Sequence, residues 1–173
     1  GDLLVGIDDR DYSARARQGE AELMMALASA GNKGEQGQAG AQVSVAQASA
    51  SAANAQIAQA QANLERTRND LDRIRSLAAK NVASQSQLDS AEAAYRSAVA
   101  QVKASQDSAQ AATQQISASS AGLRLAKAKV ESARAQRDLA QIALNDTRLL
   151  APAEGIVSKK AVEVGQLVQA GQT

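Results

Sequence analysis

Two long stretches of the chain share one pattern, in which apolar or small residues recur at alternating steps of three and four among polar residues. The first stretch runs from Val43 to Ala78 and the second from Leu88 to Ala133. This spacing predicts two long helices that pack along a seam and form a left-handed coiled coil. The larger side chains of the predicted seam are Ile57, Leu64, Leu71, Ile74, Leu88, Tyr95, Val102, Ile116, Leu123 and Val130.

A short segment around residues 79–84 separates the two periodic stretches. A connection of this length makes consecutive helices antiparallel neighbours, so we predict a helical hairpin over residues 11–147 with an exposed tip near residues 79–84. Ser84 and Gln87 have the spacing of a capping box, which predicts that the second helix begins there.

Four glycines within residues 31–40 interrupt the outgoing arm of the hairpin. Each glycine destabilises a helix by about 1 kcal/mol relative to alanine, so we predict a local helix break in this segment. The outgoing arm, residues 11–79, is longer than the return arm, residues 84–147, and such a break would accommodate the extra residues. Late in the return arm the pattern predicts a shift of the seam toward Leu139 and Ile142.

The two ends of the chain have the composition of strands. Residues 1–10 contain a short apolar run, and residues 148–173 contain short β-branched runs separated by Pro152, Gly155, Gly165 and Gly171. Because a hairpin brings its two ends together, we expect both ends to pair into one small β-module into which the hairpin is inserted.

Acidic residues follow the first predicted strand, at Asp8, Asp9 and Asp11. Carboxylates accept hydrogen bonds from the free N–H groups of a first helical turn and suit the positive end of the helix dipole. We therefore interpret these residues as helix caps, since a cation site would need more carboxylates in a tighter loop.

The composition limits what the chain can do. Two Tyr, no Phe and no Trp cannot form a thick core, whereas a composition rich in alanine fits closely packed helices. Without His or Cys, the common general base, the thiol nucleophile and the usual zinc ligands are missing. A net charge of +1 and the lack of stacking aromatics argue against nucleic acid as a partner. We therefore expect no enzymatic activity and no cofactor.

The flanks resemble a known family. The segments G-D-L-L-V-G-I-D-D-R-D-Y at 1–12 and L-L-A-P-A-E-G-I-V-S-K-K-A-V-E-V-G-Q-L-V-Q-A-G-Q at 149–172 are similar to the two halves of the split lipoyl-type domain of HlyD-type membrane fusion proteins. The long hairpin between them resembles the EmrA-like branch of that family. The resemblance implies a mainly helical coiled-coil hairpin inserted into a lipoyl-like β-module that carries no lipoyl or biotinyl group.

The same family carries an Arg, Leu and Ser triplet at the hairpin tip that is associated with docking to TolC-like outer-membrane channels. This sequence has the triplet as Arg73, Leu77 and Ser84. Arg73 and Leu77 lie one turn apart and off the seam, so the pattern predicts that they face outward together. Other interpretations remain open: a solvated charge for Arg73, a cover over the turn for Leu77 and a helix cap for Ser84.

The resemblance implies a periplasmic adaptor, anchored to the inner membrane of a Gram-negative bacterium in a longer parent protein. Its expected partners are a TolC-like channel, an inner-membrane transporter of the major-facilitator or the ABC type, and further copies of itself in a trimer or hexamer. Drug or small-molecule efflux is the favoured function. The alternatives are ABC-driven type I protein secretion and a purely structural coiled coil.

Overall fold

The computed structural model describes residues 1–32, 34–157 and 159–168, and within them the chain is mainly helical, as predicted. The helices are α1 (Arg10–Ala30), α2 (Gln38–Ala79) and α3 (Gln85–Asn145). The strands are β1 (Leu3–Gly6), β2 (Gly31–Asn32), β3 (Glu35–Gln36) and β4 (Arg148–Leu150). The hairpin has α1 and α2 on the outgoing arm and the single helix α3 on the return arm.

A thin core runs along the line where the two arms meet. Every position that follows the three-four spacing from Val43 to Ala78 and from Leu88 to Ala133 is buried or half-buried. Leu71 and Ala98 are among the most buried residues, with 3% and 2% of their surface exposed. Most of the buried hydrophobic residues are alanines, which let two helix backbones approach closely and leave little apolar volume at any one level.

The predicted shift of the seam toward Leu139 and Ile142 is wrong. These side chains are 68% and 55% exposed. The three-four spacing continues unchanged instead, through positions that are buried or half-buried: Arg137, Ala140, Leu144 and Thr147. Helical geometry, and not the size of the apolar side chains, decides which residues face the partner helix.

Arg137 is accommodated in the seam because a glycine lies opposite it. A Cβ atom on Gly19 of α1 would lie only 3.0 Å from the Cα atom of Arg137, so the two backbones are in close contact there. Arg137 Nη1 lies 3.8 Å from Glu20 Oε2 on the other arm, and its Nε lies 3.0 Å from Asp138 Oδ1 without hydrogen-bond geometry. The alkyl stem of an arginine can cover apolar surface while its charged end reaches outward.

The glycine segment leaves the helical path as a small two-stranded ribbon. β2 pairs antiparallel with β3 between α1 and α2. Gly31 has φ 95°, and a Cβ atom on Gly37 would overlap the nitrogen of Gly31. The break is shorter than the predicted 31–40, because Gly40 lies within α2. The 21 residues of α1 and the 42 of α2 together nearly equal the 61 of α3, so the ribbon takes up the surplus of the outgoing arm.

The base of the hairpin is closed by a short sheet. β1 pairs antiparallel with β4, with Leu3 opposite Leu150 and Gly6 opposite Arg148, and the register shifts between Leu3 and Val5. The N–H of Ile7 also donates to the carbonyl of Thr147 over 2.8 Å. The two ends of the hairpin therefore meet.

The further strands predicted within 148–173 are absent from residues 151–157 and 159–168. Ile156 and Val164 are 98% and 99% exposed, so no apolar surface packs on these two side chains, and no second sheet layer forms in the described residues. The predicted turn at Gly171 and the end of the last predicted strand lie outside the described residues. A lipoyl-like module is thus not confirmed.

At the start of α1, Asp8 makes the cap that the sequence predicts. Its Oδ1 accepts a hydrogen bond from the backbone N–H of Arg10 over 3.2 Å, and its Oδ2 lies 2.6 Å from the Arg10 guanidinium. Asp9, which occupies the N-cap position, makes no side-chain cap. Hydrogen bonds from Arg10 lower the pKa of Asp8 to about 2.

Candidate docking tip

The reversal between the two arms is a tight, hydrogen-bonded turn. The backbone of Asn81 adopts φ 54°, the left-handed conformation. The N–H of Asn81 donates to the carbonyl of Ala78, and the N–H of Val82 donates to the carbonyl of Leu77, both over 2.9 Å. These two bonds form the Schellman motif, which ends a helix sharply. Asparagine suits its left-handed position because asparagine tolerates this conformation better than most residues.

Leu77 is part of this turn. Its carbonyl accepts hydrogen bonds from the N–H groups of both Lys80 and Val82. Its side chain is half-buried, whereas the sequence predicts one that faces outward. The difference arises because Leu77 lies in the last turn of α2, where the chain folds back across the helix end. The alternative that Leu77 covers the turn therefore describes its surroundings better.

Arg73 lies on the surface of α2, as the spacing predicts. Its side chain is 68% exposed, and its Nη2 lies 3.3 Å from Asp70 Oδ1. Arg66 approaches the other oxygen of the same carboxylate at 3.9 Å. Exposed ion pairs of this kind contribute at most about 1 kcal/mol, so the guanidinium of Arg73 can exchange Asp70 for another acceptor at little cost.

Ser84 begins α3 through a complete capping box. Its Oγ accepts a hydrogen bond from the N–H of Gln87 over 3.2 Å, and Gln87 Oε1 accepts one from the N–H of Ser84 over 2.8 Å. Ser84 is exposed, so its hydroxyl is reachable from solvent while it caps the helix. The capping interpretation of Ser84 is therefore correct. Because the residue is exposed, the cap does not prevent Ser84 from contacting a partner.

The two arms are also joined by an ion pair just below the turn. Arg75 Nη2 on α2 lies 3.0 Å from Glu92 Oε1 on α3. This pair lies beside the seam, next to Ile74, and it adds a surface contact between the last turns of α2 and the first turns of α3. The tip is thereby held from both sides, by backbone bonds in the turn and by this contact between the arms.

Sequence reasoning missed Val82. Its side chain is 70% exposed at the apex, where it follows the left-handed residue Asn81. One signal could have identified it. Val82 is an apolar, β-branched residue that lies outside the three-four spacing, between the last seam position of α2 and the first of α3. The structure thus brings together Arg73, Leu77 and Ser84 in one short region, with Val82 as an additional apolar side chain.

Other kinds of functional site would be a metal site or a depression that could hold a small molecule. In residues 1–32, 34–157 and 159–168, no three His, Cys, Asp or Glu side chains cluster as metal ligands would. Shallow depressions of the described surface lie beside Gly31 and Asn32 and at Ile7 and Tyr12.

None of the helices in the described part of the chain combines the length and the hydropathy that crossing a bilayer requires.

Comparison with known proteins gives one match. Residues 49–119 match the family model of the alpha-helical hairpin domain of RND membrane fusion proteins. This segment is less than half of the chain, and it contains the second part of α2, the turn and the first part of α3. No curated protein and no solved structure was found to match.

Over this segment the chain is similar to membrane fusion proteins, a family of periplasmic adaptors. Proteins of this family are periplasmic and membrane-associated, and they generally work with an outer-membrane channel and an inner-membrane transporter. They are generally not enzymes. The HlyD type and the EmrA-like branch are not confirmed, since the matching family model is that of the RND group.

Proposed function

We propose that this chain acts as a periplasmic adaptor that links an inner-membrane transporter to a TolC-like outer-membrane channel for the efflux of drugs or other small molecules. The observation that carries this proposal is the match to the hairpin domain over residues 49–119, in a chain whose two arms end in an exposed, hydrogen-bonded turn. The adaptor supplies geometry, and the transporter supplies the energy.

The length of the hairpin supports this role. α3 contains 61 residues, which at 1.5 Å per residue corresponds to a rod of about 90 Å. A rod of this length places its tip far from its base, where β1 pairs with β4. Shallow contacts at the tip would then allow the channel to be engaged and released.

In this proposal the tip docks through Arg73, Leu77 and Ser84. Arg73 offers an exposed guanidinium that is held only by a surface ion pair. Ser84 offers an exposed hydroxyl at a rigid helix start. Leu77 supplies apolar surface and keeps the turn in shape. The seam residues named above have a structural role, which is to keep the rod straight.

The experiment that tests docking is cross-linking of the tip to a purified TolC-type channel, together with an export assay in cells. We expect Arg73→Glu and Leu77→Asp to abolish both signals while circular dichroism shows unchanged helicity. Arg66→Glu is the matched control, because Arg66 approaches the same carboxylate of Asp70 but lies two turns farther from the tip. Unchanged cross-linking in both tip variants would overturn the docking assignment.

Ser84 requires a separate comparison, since it caps α3. Ser84→Asp keeps a good capping residue and changes the surface, whereas Ser84→Ala removes the cap and costs about 1 kcal/mol. Loss of docking in Ser84→Asp with normal helicity would identify a contact role. Loss in Ser84→Ala alone would assign Ser84 to helix capping only.

The transporter class is the open part of the proposal. The EmrA-like resemblance favours a major-facilitator transporter, with an ABC transporter and type I protein secretion as the alternative. The name of the matching family favours a transporter of the RND group instead. Affinity purification of the full-length protein from membranes separates these candidates, because only one class of transporter should co-purify. Recovery of neither a transporter nor a channel would favour a purely structural coiled coil.

Two further features belong to the proposal. The paired strands β1 and β4 would be this chain's contribution to a lipoyl-like module formed by residues 1–10 and 148–173, near an inner-membrane anchor in the parent protein. Three or six subunits would pack side by side around the export path. Native mass spectrometry of the full-length protein would determine the number of subunits.

A further inference from the structure

The apex of the tip is chemically simple. Between Ser76 and Leu88 the only charged residue is Lys80. Lys80 is exposed, and in the part of the chain that the structure describes it has no carboxylate within ion-pair distance. The large apolar side chain that is most exposed in this segment is Val82. The apex therefore presents one apolar group beside one unpaired positive charge.

The position of Val82 is fixed by the backbone. Its N–H donates to the carbonyl of Leu77, and its neighbour Asn81 is held in the left-handed conformation. Two residues farther on, Ser84 is locked by the capping box. A β-branched side chain also has few rotamers. Val82 is thus presented in nearly one orientation, so that a partner would lose little conformational entropy by binding it.

Leu77 is less available for the same purpose. It is half-buried, and its main chain is engaged by the turn, whereas Val82 is 70% exposed. A contact at the apex would therefore bury more new apolar surface on Val82 than on Leu77. Removal of apolar area from water favours association, so Val82 is the better placed of the two residues for this contact.

We propose that Val82 is the principal apolar contact of the tip, and that the channel receives it in an apolar recess bordered by acidic groups that face Lys80. This inference rests on the proposed docking function and adds a residue to it. The occupant is the periplasmic end of the outer-membrane channel, because the apex continues the surface of Arg73 and Ser84 and because its one unpaired charge is positive.

The test places a photo-reactive benzophenone side chain at position 82 of the full-length protein and illuminates it in the presence of a purified TolC-type channel. We expect a covalent adduct with the channel. In a second experiment the label is placed at Ser76, and the cross-linking yield is compared between variants. Val82→Asp should lower the yield about tenfold or more, since it brings a carboxylate into an apolar and acidic recess. Val82→Ile should keep the yield.

Val45→Asp is the matched control. Val45 is a valine of similar exposure, 67%, on the same arm but far from the tip. Its substitution should leave the yield unchanged, and circular dichroism should show equal helicity in all variants. Lys80→Gln should weaken binding and also make it less sensitive to salt, because the screened attraction is gone.

The outcomes separate the two proposals. If Val82→Asp binds as the unchanged protein does while Arg73→Glu fails to bind, the inference about Val82 is wrong and docking at the tip stands. If the label at position 82 never reaches the channel and none of the tip variants changes export, the docking function itself is wrong. Tighter binding of Lys80→Gln would overturn the acidic character of the recess.

Discussion

The turn at the apex requires a residue at position 81 that tolerates the left-handed conformation. Asn81 has φ 54°, where glycine is free of strain and a β-branched residue is not. We predict that Asn81→Gly leaves the free energy of unfolding unchanged or raises it, whereas Asn81→Val lowers it by about 1–2 kcal/mol. Urea denaturation followed by circular dichroism measures both. Equal stability of the two variants would mean that the turn does not require the left-handed conformation.

At the base of the hairpin, Arg10 controls the acidity of Asp8. Hydrogen bonds from Arg10 lower the pKa of Asp8 from 3.8 to about 2. In Arg10→Gln we expect the pKa of Asp8 to return toward 3.8, as measured by carbon NMR titration of the carboxyl group. Because the folded-state value is the lower one, the stabilising contribution of the pair is present above pH 3.8 and is lost as the pH falls toward about 2. An unchanged pKa in the variant would show that Arg10 does not hold the carboxylate.

Individual residues were predictable where helical periodicity determines their position, and not where the helix end does. The exposure of Arg73 and the capping by Ser84 follow from spacing and side-chain chemistry. The half-buried state of Leu77 depends on where α2 ends, because a Schellman turn folds back over the last helical turn. The turn itself depends on the left-handed conformation of Asn81, a conformation that most residue types adopt only at a cost in free energy. Sequence spacing alone could not fix that end to the residue.

The helices behave as the three-four spacing requires, even where large apolar residues suggest otherwise. Leu71 is 3% exposed and Leu139 is 68% exposed. We predict that Leu71→Ala lowers the free energy of unfolding by about 2–4 kcal/mol, because it leaves a cavity in the seam. Leu139→Ala should change it by less than about 0.5 kcal/mol. Urea denaturation followed by circular dichroism measures both variants. A large decrease in the free energy of unfolding of Leu139→Ala would support the predicted seam shift, which the structure contradicts.

Two glycines in different elements should respond with opposite sign to the same substitution. In Gly37→Ala the new Cβ atom overlaps the backbone of Gly31, so we predict destabilisation of the ribbon by about 1–3 kcal/mol. Gly122 lies inside α3 with open space around a built Cβ atom. Gly122→Ala should therefore stabilise the protein by about 0.5–1 kcal/mol. Thermal unfolding by circular dichroism compares the two variants, and the same sign for both would contradict the close approach at Gly37.

At the level of elements, the sequence predicts the interruption in the outgoing arm but not its form. Four glycines mark the place, and the unequal arms require that residues leave the helical path. Whether they form an open loop or a ribbon depends on the contact between Gly31 and Gly37, which no periodicity shows. The strands beyond β4 were overpredicted for a related reason. Ile156 and Val164 have the composition of strand residues, but they lack an apolar surface to pack on.

For the whole molecule, stability and length come from the same repeat. The buried residues of the seam are mostly small and are spread along both arms, so each turn of the helices contributes only a small part of the stability. The register of the two arms is set by the pairing of β1 with β4 at the base, by the buried positions of the seam and by the hydrogen-bonded turn at the tip. The length can therefore be changed while both ends are kept, provided that both arms change together.

We predict that deleting residues 50–56 together with residues 110–116 shortens the rod and leaves the fold intact. Each deletion removes one heptad, so the three-four spacing is kept on both arms, and the rod should lose about 10 Å. Small-angle X-ray scattering measures the maximum dimension, and circular dichroism measures the helix content. Deletion of residues 50–56 alone is the control, and it should lower the melting temperature because the arms then lose their register. If the doubly shortened protein keeps its fold and binds a purified channel but no longer supports export, the length of the rod is part of its function. Full export by that variant would mean that the rod does not have to span a fixed distance.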